Sequence, residues 1–153
     1  MTDTSRPTDS ILLQWTMETP SQATAHALAR VSYSDEFCAA LNRAAGLASP
    51  CTVRRFAWSP ATGLAYVYAD LANRTAVMQW PLDAVRTAAQ SLLVGAAGLR
   101  ASRLELVFDQ AGASYGQQRS AHYAVERDPA DGWMPEIFRW YDEVHMPGLA
   151  AVD

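Results

Sequence analysis

Lysine is absent from this chain. All 12 basic residues among its 153 are arginines. That removes Schiff-base chemistry through a side-chain amine. No run of basic residues is interleaved with aromatics, so nucleic acid is not expected as a partner. Cysteine is scarce: Cys38 and Cys51 are the only two. Without an apolar leader, two cysteines read as free, packed thiols in a reducing cytoplasm, which is the expected location. Long apolar runs are missing as well. The longest, SLLVGAAGL, falls far short of the ~20 residues that span a bilayer, so no membrane partner is expected. Phosphate loops and glycine-rich dinucleotide fingerprints are missing, which argues against a nucleotide cofactor. Neither His26 nor His122 has a metal-ligand partner at a recognisable spacing, and no His-x-His or Glu-x-x-His cluster occurs, so no metal is expected.

What remains is enough for a folded domain. Half of the residues are apolar, 18% are charged and the net charge is −4. Such a composition buries a core rather than staying disordered.

The pattern along the chain is β-α-β-β-α-β. Residues 1–10 are polar and read as a disordered tail. Residues 11–18 are apolar and end at Pro20, as a strand would. Residues 22–47 are alanine-rich and helical, in two pieces broken near Ser32–Ser34. Phe37, Leu41 and Ala44 make one stripe, and Gly46 is a stop. Residues 51–58 and 64–71 flank the turn sequence SPATG and form a hairpin. Residues 81–98 start at Pro81 and carry Leu82, Val85, Ala89, Leu92 and Leu93 on one side, predicting a helix. Residues 102–109 predict a fourth strand, with leucines and Phe108 on one face. This is an α+β, ferredoxin-like plan over residues 11–112, with both helical regions on one face of the sheet.

Residues 113–120 then read as a Gly/Gln linker. Residues 121–128 predict a strand, and residues 133–146 a helix with Pro135 near its start and Pro147 just past its end. Residues 121–153 therefore resemble the opening β-α of a second, incomplete module. The segments GLASPC (46–51) and GLAAVD (148–153) occupy equivalent places in the two copies, which sets Arg43 opposite His145.

Two groups of residues could carry chemistry. The first is the stretch RWYDEVHMP. On a regular helix Tyr141 and Asp142 lie four and three residues before His145, so both can touch its imidazole. A carboxylate neighbour and the end of a helix each favour imidazolium, the working form of an acid. The same residues also suit a purely structural helix end, with His145 as a cap and Trp140 and Tyr141 as anchors. The second group is the hairpin. Strict alternation puts Thr52, Arg54, Phe56 and Trp58 on one face of their strand and Val53, Arg55 and Ala57 on the other. It also puts Tyr66 and Tyr68 together. Such an aromatic and guanidinium face suits a small-molecule pocket or a subunit interface. In either case it is too large to leave in water, which predicts a homodimer or closure by residues 121–153.

The segment FRWYDEVHMPGLAAV resembles the WYDEEHLP signature of the EthD-like branch of the dimeric α/β-barrel superfamily. Trp140, Tyr141, Asp142, Glu143, His145 and Pro147 match it, while Val144 and Met146 depart mildly. The resemblance covers about a tenth of the chain. It implies two facing four-stranded sheets that enclose a barrel. It also implies a cofactor-free isomerase, cyclase or dehydratase acting on a small hydrophobic or aromatic molecule. His145 would then be the acid/base, Asp142 its orienting partner and Tyr141 a hydrogen-bond donor. Arg54, Phe56, Trp58, Tyr66 and Tyr68 would line the substrate site. A non-catalytic binding or interaction module is the alternative, and haem binding, which some members show, is a third.

Overall fold

A computed structural model describes residues 8–75, 81–108, 110–113, 116–117, 122–126 and 129–151. The expected tail at 1–7, and most of the expected linker at 113–120, lie outside these residues. The chain forms two compact units, Met1–Leu106 and Val107–Asp153.

The first unit is α+β. Its strands are β1 (Thr8–Met17), β2 (Thr52–Trp58), β3 (Leu64–Thr75) and β4 (Ala96–Leu104), and its helices are α1 (Gln22–Ser32), α2 (Asp35–Ala45) and α3 (Leu82–Leu92). The strands make one sheet in the order β2-β3-β1-β4, with every neighbouring pair antiparallel. This is consistent with the ferredoxin-like α+β class.

Local chemistry sets the helix boundaries. The Ser21 hydroxyl accepts from the Thr24 N–H at 3.0 Å and opens α1, while the Ser34 hydroxyl accepts from the Phe37 N–H at 3.2 Å and opens α2. Each satisfies an amide that the first helical turn leaves unpaired. The two helices separate at Ser32–Ser34, as expected. Gly46, at φ 65°, closes α2 in the left-handed conformation that glycine adopts without penalty. Gly63 is another position where glycine is needed. It has φ +70° in the β2–β3 turn, and a Cβ there would stand 2.7 Å from the Pro20 ring.

Ile11, Leu13, Trp15 and Met17 alternate along β1 into the core. Ala65, Val67 and Ala69 of β3 join them, with Ala25 and Leu28 of α1, Phe37 and Leu41 of α2, and Val85 and Ala89 of α3. Small side chains at the centre of β3 let the helices lie close to the sheet.

Three boundaries differ from those read in the sequence. The helix expected over 81–98 ends at Leu92, and residues 96–100 instead begin β4, where Met17 pairs with Ala96 and Thr16 with Ala97. Pairing with β1 overrides the helical preference of those alanines. The strand expected over 102–109 consequently ends at Leu104, beyond which Leu106 and Val107 are exposed. In the second unit, residues 122–126 of the expected strand 121–128 are not a strand. Tyr123 there is 90% exposed. An extended segment with no ladder partner has little to hold it. The extra β-α unit therefore lacks its strand among the described residues.

Candidate functional site

The second unit carries the histidine. Its helical segment runs as α4 (Met134–Trp140), a π-helical turn over Tyr141–His145 and α5 (Met146–Ala150). Pro135 sits in the first turn of α4, where a missing N–H costs nothing. Pro147 does not follow the helix, as the sequence suggested, but lies inside it. Its ring would clash with the carbonyl four residues back, and it offers that carbonyl no donor. The chain accommodates this by widening the preceding turn, so that the Met146 N–H bonds to the Tyr141 carbonyl. His145 is consequently not in the last helical turn, and a helix-end effect on it falls away.

The wide turn changes which rings meet. In a regular helix, residues five apart point well away from each other. Here the Trp140 and His145 rings stack, with centroids 4.4 Å apart and planes 23° apart. Tyr141 meets His145 edge-on at 5.0 Å and 80°, the four-residue neighbour expected from the sequence. It also meets Trp140 at 5.2 Å and stacks on Phe108 at 5.9 Å. Phe108 in turn packs edge-on against Phe138 at 5.8 Å. His145 and Tyr141 are half-buried. Neither imidazole nitrogen makes a hydrogen bond or ion pair among the described residues, so the ring is oriented by stacking rather than capping a carbonyl. Asp142 is exposed and makes no ion pair with His145. A shallow groove of about 440 Å³ borders the cluster, lined by the apolar Trp133, Ile137, Trp140 and Val144 and the charged Glu136, Arg139 and Glu143.

The hairpin of the first unit distributes its residues differently from strict alternation. A β-bulge lies between Val53 and Arg55: Val53 pairs with Ala69, but Arg55 pairs with Tyr68 and Phe56 with Val67. One extra residue reverses the phase of the strand beyond it. Phe56 and Trp58 therefore face the helices and pack against the core, Phe56 lying 6.0 Å from the Trp15 ring. They do not line the face that carries Tyr66 and Tyr68. Arg54 does, as the Arg54 Nε binds Asp70 Oδ2 at 2.8 Å and its guanidinium lies 5.8 Å from the Tyr68 ring centroid. Ser10 Oγ donates to the other Asp70 oxygen at 3.0 Å, and Arg100 reaches Gln14 Oε1 at 3.5 Å. That face is thus polar and aromatic, with Asp70 as its organising acid. Asp70 went unread in the sequence, although two-residue spacing from Tyr66 and Tyr68 marks it.

No group of three or more ligating side chains able to hold a metal occurs among the described residues, and none of their helices is long and apolar enough to cross a membrane. Compared with family models, with characterised proteins and with solved structures, the chain matches none of them.

Proposed function

We propose that the protein binds a small hydrophobic or aromatic molecule, in the manner of the EthD-like dimeric α/β barrels, and that His145 is its acid/base group in cofactor-free proton transfer. The observation that supports this most is the state of His145: half-buried, fixed by two aromatic rings, with neither nitrogen engaged by the described residues. An imidazole held that way can exchange a proton with a ligand without first breaking a bond of its own. Tyr141, which touches the same ring, is the adjacent hydrogen-bond donor, and Asp142, exposed beside it, is the orienting partner only if it turns to His145 when ligand binds. Isomerisation, cyclisation and dehydration are the reactions such a group serves. The tyrosine and guanidinium face of the sheet, with Arg54, Tyr66 and Tyr68, has the composition of an interface, and we assign it to contact with a second copy of the chain.

A panel of phenols and aromatic ketones, screened by thermal shift and by the histidine ring resonances, tests the reading. Binding should move the His145 signals and should be lost in His145→Ala, whose melting temperature stays close to that of the parent. A variant that binds every compound as the parent does would remove His145 from the site. A single-copy mass in solution at micromolar concentration would remove the dimer.

One observation favours a second reading. Trp133, Trp140 and Val144 are 61%, 46% and 57% exposed along the helical segment. Such a stripe also suits an interaction module, in which His145→Ala would alter stability and leave small-molecule binding absent throughout.

A further inference from the structure

Cys38 and Cys51 lie together, although 13 positions separate them in the chain. The Cys51 thiol approaches the Cys38 carbonyl oxygen at 3.9 Å, and the Cys51 N–H is held by Asn42 Oδ1 at 2.9 Å. Cys38 stands on α2 and Cys51 immediately precedes β2, the outer strand of the sheet. Both line one open pocket of about 520 Å³, with Tyr33, Asp35 and Asn42 on its walls. Cys38 is half-buried, whereas Cys51 is buried. Packing alone does not require two thiols at one solvent-reachable pocket.

We propose that Cys38 and Cys51 are a peroxide-responsive pair that forms an intramolecular disulfide, tying α2 to the start of β2. The Cys38 sulfur attacks one peroxide oxygen, the O–O bond breaks, and water leaves with Cys38 as the sulfenic acid. The Cys51 sulfur then attacks the Cys38 sulfur. The S–S bond forms, the S–O bond breaks, and a second water leaves with the Cys51 proton. Two thiols are oxidised and one hydrogen peroxide is reduced to two waters. The order of attack follows from access. Burial first, and the neighbouring Cys38 second, push the Cys51 thiol up to about 11. It is therefore suited to resolving a neighbour's sulfenic acid rather than meeting the oxidant itself. The step is independent of His145.

The test is treatment of the whole chain with a few equivalents of hydrogen peroxide, followed by intact mass and peptide mapping. The expected result is a loss of about 2 Da without dimerisation, a cross-linked peptide pair joining Cys38 to Cys51, and a melting temperature raised by several degrees and restored by reductant. Cys51→Ser should instead stop at an oxidised Cys38. Two free thiols after treatment, an overoxidised Cys38 beside an untouched Cys51, or a disulfide between two chains would each overturn the proposal. Because the peptide map reads the unsubstituted protein, a failure of Cys51→Ser to fold leaves the result intact.

Discussion

Phe56 and Arg54 stand two residues apart, yet the bulge gives them opposite surroundings. Phe56 packs into the core beside Trp15, so Phe56→Ala should cost about 1–3 kcal/mol, less than a fully buried phenylalanine because its site is only half-buried. Arg54 is 62% exposed in its ion pair, so Arg54→Ala should cost at most about 1 kcal/mol. Urea titrations of the two variants check the order, and a reversal would mean that Phe56 faces the tyrosines. Cys51 supplies a pH dependence of known sign. Its folded thiol sits at about 11, raised from 9.0. The stability it contributes is fully present below pH 9 and is lost as pH climbs through 11, by up to about 3 kcal/mol. Cys51→Ala should flatten that part of the alkaline stability profile relative to the parent.

At the scale of elements, the wide turn over Tyr141–His145 follows from Pro147. Pro147→Ala restores the missing donor and removes the clash. The turn should then tighten to a regular helix and carry Trp140 away from His145. The histidine ring protons would lose the upfield shift that the stacked indole imposes, while helical circular dichroism rises slightly. Unchanged histidine resonances would show that something other than the proline widens the turn. Pro147 also marks the limit of what could be read in advance. The break near Ser32–Ser34, the Gly46 stop and the SPATG turn are local signals carried by a few residues, and they placed α1, α2, β2 and β3 closely, whereas the serine caps at Ser21 and Ser34 went unread. The end of α3 and the start of β4 are not local. The alanines at 96, 97 and 101 suit either state, and only pairing with β1 decides between them. The bulge is equally hidden, because Arg54 and Arg55 carry no glycine or asparagine to announce it. Reading through it with strict alternation put Phe56 and Trp58 with Tyr66 and Tyr68. The Tyr141–His145 contact was legible from four-residue spacing, but the Trp140–His145 stack was not, since five-residue neighbours meet only on a widened turn.

For the whole molecule, the two units differ in what holds them. Every member of the buried hydrophobic cluster lies between Ile11 and Leu99, in the first unit. None of the described residues from 107 onward is buried. The cooperative unfolding transition should therefore belong to the first unit. A chain ending at Leu106 should keep it, with an enthalpy near ~70 kcal/mol for about 100 residues. Loss of cooperative melting on that truncation would show that the second unit is required for the core.

The bulge in β2 also has a consequence for how this strand tolerates changes of length. A bulge is one residue more on a strand than its partner needs. Removing a residue from a strand ordinarily turns every later side chain to the wrong face. In β2 the spare residue is already there. Deleting Arg55 would let Arg54 take its place opposite Tyr68 and leave Val53, Phe56 and Trp58 still opposite Ala69, Val67 and Ala65. Deleting Ala57, two positions on, would swing Trp58 away from the helices and into the polar row. A length scan of β2 should thus show one permissive gap at 54–55 inside an otherwise intolerant strand, a place where evolution could shorten the chain without disturbing the core.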